Sequence, residues 1–526
     1  MLNQKMEKMI KTKRTILILV IIISSLFIAQ TVAAKQYFNN NSRQSRIFEE
    51  NNDGEIMWSS TFGSGGSDYG YSIEQTNDGG FILTGFTNSY GEGMNDVYVV
   101  KIDSEGDTIW TRTFGGSFND YGYSVKQTSD GGYIVTGTTE SFGAGFTDVY
   151  LIKTDELGDT IWTRTYGGSS YDMGYSVIQT NDGGYLVTGE TSSYGIGHKS
   201  VILIKIDSYG NRVWIRTYGG SNSDQGYSVQ QTRDGGYIIA GYTNSYGAGL
   251  NDVYLVKSDA DGDTIWTKTY GGSDDDYSYS VKQTYDDGYI IAGYTSSFSA
   301  READIYLIKT DSGGNTIWAR TFGGNNYDFG RSVEQTIDEG YIVAGAYDWN
   351  FEEDKGNIYV VKTNSLGDTM WTRTYGGSSC DYSMSIAKTN DNGYIVAGGT
   401  SSDDGDVTGN QGIMDCWVVR ISPDDTTSEQ DTTITQDTIS SDPTIQPVVF
   451  TPNGDGKNDV VEIVGLDESD QSEMDIYDIT GAKILKLRTT EWDGTNNGKK
   501  LIAGVYLYVL KVNDEVVDNG TITLVR

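Results

Sequence analysis

Short apolar runs of five or six residues, separated by polar segments rich in Gly and Asp, occupy most of this chain. Between residues 54 and 421 they come in sets of four. In the second set they are YSVKQT (Tyr123–Thr128), YIVTG (Tyr133–Gly137), DVYLIK (Asp148–Lys153) and TIWTRT (Thr160–Thr165). Each is β-branched or aromatic and bounded by turn formers, which predicts a strand. No set contains a stretch of helical period long enough to compete.

The sets repeat with a fixed period. Tryptophans at Trp58, Trp110, Trp162, Trp214, Trp266 and Trp318 are spaced by 52 residues, and Trp371 follows after 53. Four antiparallel strands per repeat of this length predict a β-propeller blade, with the tryptophan packed between neighbouring blades. The chain ends predict a closed ring. Gly54–Gly63 matches only a fourth strand, and the last set stops after its third, Cys416–Arg420. The early strand therefore completes the last of seven blades. The turn between the first and second strands repeats an Asp (Asp78, Asp130, Asp182, Asp234, Asp286, Asp338, Asp391) and, two residues on, a Gly (Gly80 through Gly393). An Asp folding back on the backbone, then a Gly in the left-handed region, is the expected hairpin loop.

Composition agrees with an all-β chain: 67 Gly, 4 Pro and 38 Tyr, against 15 Phe and 10 Trp. The N-terminus reads as an export signal. Lys5, Lys8, Lys11, Lys13 and Arg14 precede the apolar run Ile16–Ile23, and Val32 and Ala34 suit a cleavage point after residue 34. The competing reading, an uncleaved anchor, needs about 20 apolar residues, more than this run offers. Loss of residues 1–34 removes five positive charges and one negative, taking the net charge from −35 to −39. Such a surface repels nucleic acid and anionic membrane. Residues 35–53 form a short extension. Ser422–Gln446, rich in Thr, Ser and Asp, reads as a linker.

The elements W-x-x-T-[FY]-G-G, Q-T-x-D-x-G-Y and D-x-x-G-D-T-I-W recur across residues 54–421 and resemble the repeats of secreted bacterial seven-bladed propellers. LIKTDELGDTIW is also similar to the tryptophan-docking repeat of quinoprotein dehydrogenases, a likeness that extends to blade packing alone. Over residues 447–526, FTPNGDGKND (Phe450–Asp459), WDGTNNGK (Trp492–Lys499), AGVYLYVL (Ala503–Leu510) and GTITLVR (Gly520–Arg526) resemble the C-terminal sorting domains of type IX secretion, in the type B form associated with gliding motility. IYDITG (Ile476–Gly481) is closer to the related type A domains. The resemblance implies a partner in the secretion machinery and a location outside the cell or on its outer surface. The alternation of short strands with turns at NGDG, TG, DGTNNG and ND predicts an immunoglobulin-like β-sandwich of about seven strands.

Residues repeated in every blade are first suspected of building it. The Asp set Asp68, Asp120, Asp172, Asp224, Asp276, Asp328 and Asp381 could form a cation-binding ring, but seven adjacent carboxylates repel, which favours backbone hydrogen bonding. The set Asp96, Asp148, Asp252, Asp304 and Asp415 has Ser200 and Asn357 in the other two repeats, and reads the same way. Function is sought where the repeat breaks, on the face shared by the loops after the second strands and before the first. Repeat six places Trp349, Phe351, Glu352, Glu353 and Asp354 there, repeat seven Asp403, Asp404 and Asp406, and repeat three the single histidine, His198. Aromatics flanked by acids suit a glycan or protein ligand. Cys380, in the loop before the first strand of repeat seven, and Cys416, at the start of its third, are brought to the same loop face by alternating strand direction and are a candidate disulfide. Asn453, Asp455 and Asp459 resemble part of a calcium loop, which makes calcium the one candidate cofactor.

One histidine without a surrounding motif, and no HExxH, P-loop or GxSxG, argue against the usual hydrolases. Quinoprotein chemistry would call for adjacent cysteines. The expectation is a surface binding, adhesion or scaffolding module rather than an enzyme. The alternative is a carbohydrate-active enzyme, a glycosidase or lyase using carboxylates of the loop face.

Overall fold

The computed structural model describes residues 54–299, 301–350 and 355–423, together with strand segments between residues 444 and 524. The expected signal (1–34) and extension (35–53) lie outside the described residues. All regular structure among the described residues is strand, and no helix there is long and apolar enough to cross a membrane. The chain divides into two units, Met1–Ser428 and Glu429–Arg526.

The first unit is the seven-bladed propeller. The opening strand β1 spans Ile56–Phe62, and blade one consists of β2 (Asp68–Gln75), β3 (Phe81–Thr87), β4 (Asp96–Ile102) and β5 (Thr108–Phe114), paired in that order from the axis outward. Five further blades repeat this. Blade seven is built from Asp381–Lys388, Tyr394–Thr400 and Asp415–Ile421, with β1 as its fourth strand. β1 pairs antiparallel with Asp415–Ile421, from Ile56 opposite Ile421 to Phe62 opposite Cys416. The second and third strands are buried along almost their whole length, and the core consists of seven apolar clusters, each shared by adjacent blades.

A ring of indoles joins the blades. Each tryptophan covers a glycine in the next blade's outer turn: a Cβ on Gly106, Gly158, Gly210, Gly262, Gly314, Gly367 or Gly54 would meet Trp58, Trp110, Trp162, Trp214, Trp266, Trp318 or Trp371 respectively, at 2.8–3.3 Å. All seven glycines hold φ between 74° and 88°, a region that favours residues without Cβ, so the turn and the docking surface require the same residue. The series includes Gly54, just before β1, which sits under Trp371 of blade six.

The turn Asp has a partner absent from the sequence reading. A cation on the third strand reaches it in every blade: Lys101–Asp78 (3.0 Å), Lys153–Asp130 (3.0 Å), Lys205–Asp182 (2.9 Å), Lys257–Asp234 (3.0 Å), Lys309–Asp286 (2.8 Å), Lys362–Asp338 (2.6 Å) and Arg420–Asp391 (2.5 Å). These cations are 0–7% exposed. Burying an unpaired ammonium would be costly, so the turn is fixed where the carboxylate can meet it. The left-handed residue is not the final Gly but the one before it: Gly79, Gly131, Gly183, Gly235, Asp287, Glu339 and Asn392. The final Gly is required for close approach instead. A Cβ on Gly80 would lie 2.3 Å from the Ile102 carbonyl and 2.6 Å from Lys101 Nζ.

In the second unit, strands form a five-stranded sheet, a three-stranded sheet and a two-stranded ribbon, the all-β content expected for the sandwich. Thr444–Gln446, assigned to the linker by composition, is a strand paired with Val461–Val464.

Two stability predictions follow from the buried ion pairs and the aspartates. Asp182→Ala leaves the Lys205 ammonium unpaired and should cost about 2–3 kcal/mol by denaturant titration, whereas Lys205→Met, which removes the buried charge, should cost clearly less. Burial acts to raise the Asp182 carboxyl, but hydrogen bonds from Thr180, Lys205 and Gly184 outweigh it and hold it down at about 2. That contribution is present above the ordinary carboxylate range and lost as pH falls towards about 2. Asp328 behaves in the opposite sense. Burial, and then the charges of Asp304 and Asp348, push it up to about 6, so the fold gains stability as pH falls from about 6 to about 4. Burial raises Asp96, Asp252, Asp381 and Asp415 in the same direction. The thermal midpoint should therefore pass through a maximum between about pH 4 and 6. A midpoint rising steadily from pH 3 to pH 8 would contradict the assignment.

Candidate ligand-binding channel

Each innermost strand carries a bulge at one repeated position, and that of blade six has a second register shift between Tyr327 and Phe329. In blade one, Gly70 faces Gly85 and Ser72 faces Thr84, so Tyr71 is the extra residue without a partner on β3. The bulge recurs at the same place in every blade and leaves Tyr123, Tyr175, Tyr227, Tyr279, Arg331 and Met384 unpaired in turn. A bulge re-aims the side chain it releases. Here the released side chains line the axial cavity, about 650 Å³ in volume.

The tyrosines form a collar. Ring centroids from Tyr71 to Tyr123, Tyr175, Tyr227 and Tyr279 follow one another at 5.1, 5.4, 5.0 and 5.0 Å. The Arg331 guanidinium continues the series, 4.1 Å from the Tyr279 ring centre. Burial, then neighbouring tyrosines, push the Tyr71 and Tyr123 hydroxyls far above their ordinary value, so both remain neutral donors.

Beyond the collar, the wall is committed to joining blades. The backbone N–H groups of Val125, Val177, Val229, Val281 and Val333 donate to the serine of the preceding blade at 3.2–3.4 Å, and Ile73 donates to Ser385 across the closure. The next position carries the cavity's remaining charges. Lys126 pairs with Glu74 at 3.6 Å and Lys282 with Glu334 at 2.5 Å. Burial alone would lower Lys282, but Glu334 and Glu74 outweigh it and hold the ammonium above its ordinary value. At the turn end, six glutamines accept the backbone N–H of the preceding blade's hairpin at 2.7–3.0 Å, the last being Gln75 from Asn390. The cavity thus extends from the collar towards the hairpin-turn end, away from the loop face on which sequence reasoning concentrated. The signal that could have located it is in the sequence: one strand position reads Tyr five times, then Arg331, then Met384.

The predicted loop-face residues are dispersed. His198 is exposed on blade three and Trp349 is half-buried on blade six, three blades away, its ring 5.2 Å from Tyr382. Trp349 belongs to a hairpin that lengthens the second and third strands of blade six to Tyr341–Asn350 and Lys355–Thr363. Phe351, Glu352, Glu353 and Asp354 lie outside the described residues, as do Asn453, Asp455 and Asp459. Among the described residues no group of three or more metal-ligating side chains converges. In blade seven, Asp404 and Asp406 accept the backbone N–H groups of Ser378 and Gly376. The backbone carbonyls of Asp406 and Gly409 in the same loop accept the Ser59 and Thr61 hydroxyls of β1, so the loop is part of the closure.

Both repeated Asp sets are structural. The first accepts the backbone N–H four residues earlier and a loop serine, as Asp172 does from Gly168 at 2.8 Å and Ser193 at 2.6 Å, except that Asp328 takes the Asp348 backbone N–H in place of the serine. The second caps its own loop, as Asp148 does for Ala144 and Gly145.

No disulfide joins Cys380 and Cys416. Both reach the same end of the blade, but the strand Tyr394–Thr400 lies between, and the register sets Cys416 level with Tyr382 rather than with Cys380, so two strand spacings of ~4.8 Å already exceed the ~6.8 Å limit for a bridge. Cys416 Sγ instead packs against Gly70 of blade one, and burial pushes its thiol well up.

The fold and channel define a closed seven-bladed propeller, and its export route comes from the other unit. The CHU_C type IX secretion signal domain matches residues 444–524. The chain is a propeller carrying a type IX sorting domain, which engages the secretion machinery and directs export to the cell surface or the medium. Elsewhere the likenesses are distant. An uncharacterised WD repeat-containing protein of Acanthamoeba polyphaga mimivirus is 19% identical over 66% of this chain and 36% of its own length. The regulatory protein FlaEY of Caulobacter vibrioides is 24% identical over 34% of this chain and 23% of its own. The chain thus spans about a third or less of these relatives. Among solved structures, Sqt1 from Chaetomium thermophilum is 10% identical with a TM-score of 0.42, covering 70% of this chain and 98% of its own.

Native protein should resist iodoacetamide at both cysteines, and denatured protein should take up two labels without any reductant. A single label, or none, would indicate oxidation or a bridge.

Proposed function

We propose that the propeller is an extracellular binding module that holds a glycan or protein ligand at the tyrosine collar. The observation that carries this reading is the bulge, repeated in all seven blades, which releases one side chain per blade into the axial cavity. Ring closure does not need an aromatic there, since blades six and seven close with Arg331 and Met384. A cavity of this volume and aromatic lining fits a small ligand or the end of a chain. Exposed apolar side chains on the loops, including the stacked pair Phe146 and Tyr171 at 5.2 Å, offer further contact area.

Holding is favoured over turnover because both glutamates of the cavity are paired with lysines. A glycosidase or lyase needs carboxylates poised for proton transfer or attack.

The test is an array of glycans and extracellular proteins probed with the mature protein, with reducing-sugar release measured on every hit. Binding without product is expected. Tyr175→Leu, which keeps an apolar side chain but removes the ring face and hydroxyl, should weaken binding about tenfold while the protein still unfolds in one cooperative transition, lowered by a few degrees at most. Product release would favour the enzyme, and binding indifferent to the collar would move the site to the loop face.

A further inference from the structure

We infer that the collar selects an acidic saccharide, with Arg331 recognising its anionic group. The inference rests on the proposal that the channel takes a ligand, and it specifies the ligand's chemistry.

Arg331 is where the collar departs from tyrosine while remaining charged. Its guanidinium lies 4.1 Å from the Tyr279 ring centre and 5.4 Å from that of Phe329, held between aromatic faces. Among the described residues it forms no ion pair. The other charged side chains of the cavity cancel in pairs, Glu74 with Lys126 and Glu334 with Lys282. The cavity therefore keeps one uncompensated positive charge inside a chain whose net charge is −35. Ring closure does not explain that charge, because the serine–backbone bonds join the blades on both sides of Arg331 without it. Stacking on Tyr279 leaves the edge of the guanidinium fork for a planar anion such as a carboxylate, or for sulfate.

The rest of the collar specifies the body of the ligand. Tyrosine faces at 5.0–5.4 Å suit the apolar C–H face of a sugar ring, and the neutral hydroxyls of Tyr71 and Tyr123 can serve its hydroxyl rim. An acidic peptide would bring several like charges into a site with one spare cation, on a protein that repels anions at long range. One anionic group beside a ring matches the one arginine beside five tyrosines. The anion can be the carboxylate of a uronic acid or a sulfate ester.

Calorimetry on the mature protein should compare a disaccharide bearing a single galacturonate, a galactobiose bearing a single sulfate ester, and neutral galacto- and cello-oligosaccharides. At least one acidic probe should bind about tenfold or more tightly than the neutral ones, and the two acidic probes separate carboxylate from sulfate. Arg331→Gln should abolish that preference without changing the melting temperature, and Arg331→Lys should keep part of it. Equal binding of acidic and neutral probes, or a preference that survives Arg331→Gln, overturns the inference. If a collar-dependent ligand is found but neither acidic probe binds, the inference fails and the module reading stands. If no ligand responds to Tyr175→Leu, both fail.

Discussion

The antiparallel pairing of Ile56–Phe62 with Asp415–Ile421 is the contact on which the propeller depends. Without it, blade seven would end on an exposed third strand and blade six would have no partner for Trp371. With it, the apolar clusters run unbroken around the ring, and the cluster holding Phe62, Ile73 and Cys416 links the last blade to the first. Three other contacts converge on the same junction. Trp58 of β1 covers Gly106 of blade one, Ile73 N–H donates to Ser385, and Asn390 N–H donates to Gln75. The closure is therefore made at the rim, in the channel wall and at the turn end together, and strand pairing alone does not carry it.

A ring of near-identical sheets must satisfy the same polar groups seven times, and this chain does so with side chains. Serines and glutamines join innermost strands, aspartates cap loops, and buried lysines hold hairpin turns. Most of the acidic residues that make a carboxylate-based site conceivable are consumed in this way. The collar differs because its members sit on bulges, outside the ladder, where no repeated hydrogen bond fixes their identity. Position 331 can then carry a charge, and position 384 a thioether, while the blades still close.

The alternation of strand and turn signals predicted the blade, its strand order and the closure, because each is encoded within one period and its fragments. The propeller strands agree with that reading to within a few residues at their ends. The structural role of both Asp sets was legible from their recurrence and from the substitutions Ser200 and Asn357. The lysine partners of the turn Asp were harder to see. Lys101 and its equivalents stand in strands that read as simply amphipathic, and only the hairpin's return brings Asp78 within 3.0 Å. The left-handed position was misplaced by one residue because Asp, Glu and Asn occupy it in three blades, which hid its glycine preference.

By itself, then, the sequence determined the blade, the number of blades, the fact of closure and the sorting unit, since a repeat carries its own register and a fragment names its complement. Tertiary structure alone decided where the bulge falls, which side chain it frees and what that side chain faces. A bulge is a mismatch between two strands, and neither strand records it separately. The same holds for Cys380 and Cys416: strand direction predicts that they share a loop face, but distance across a sheet depends on which strand lies between.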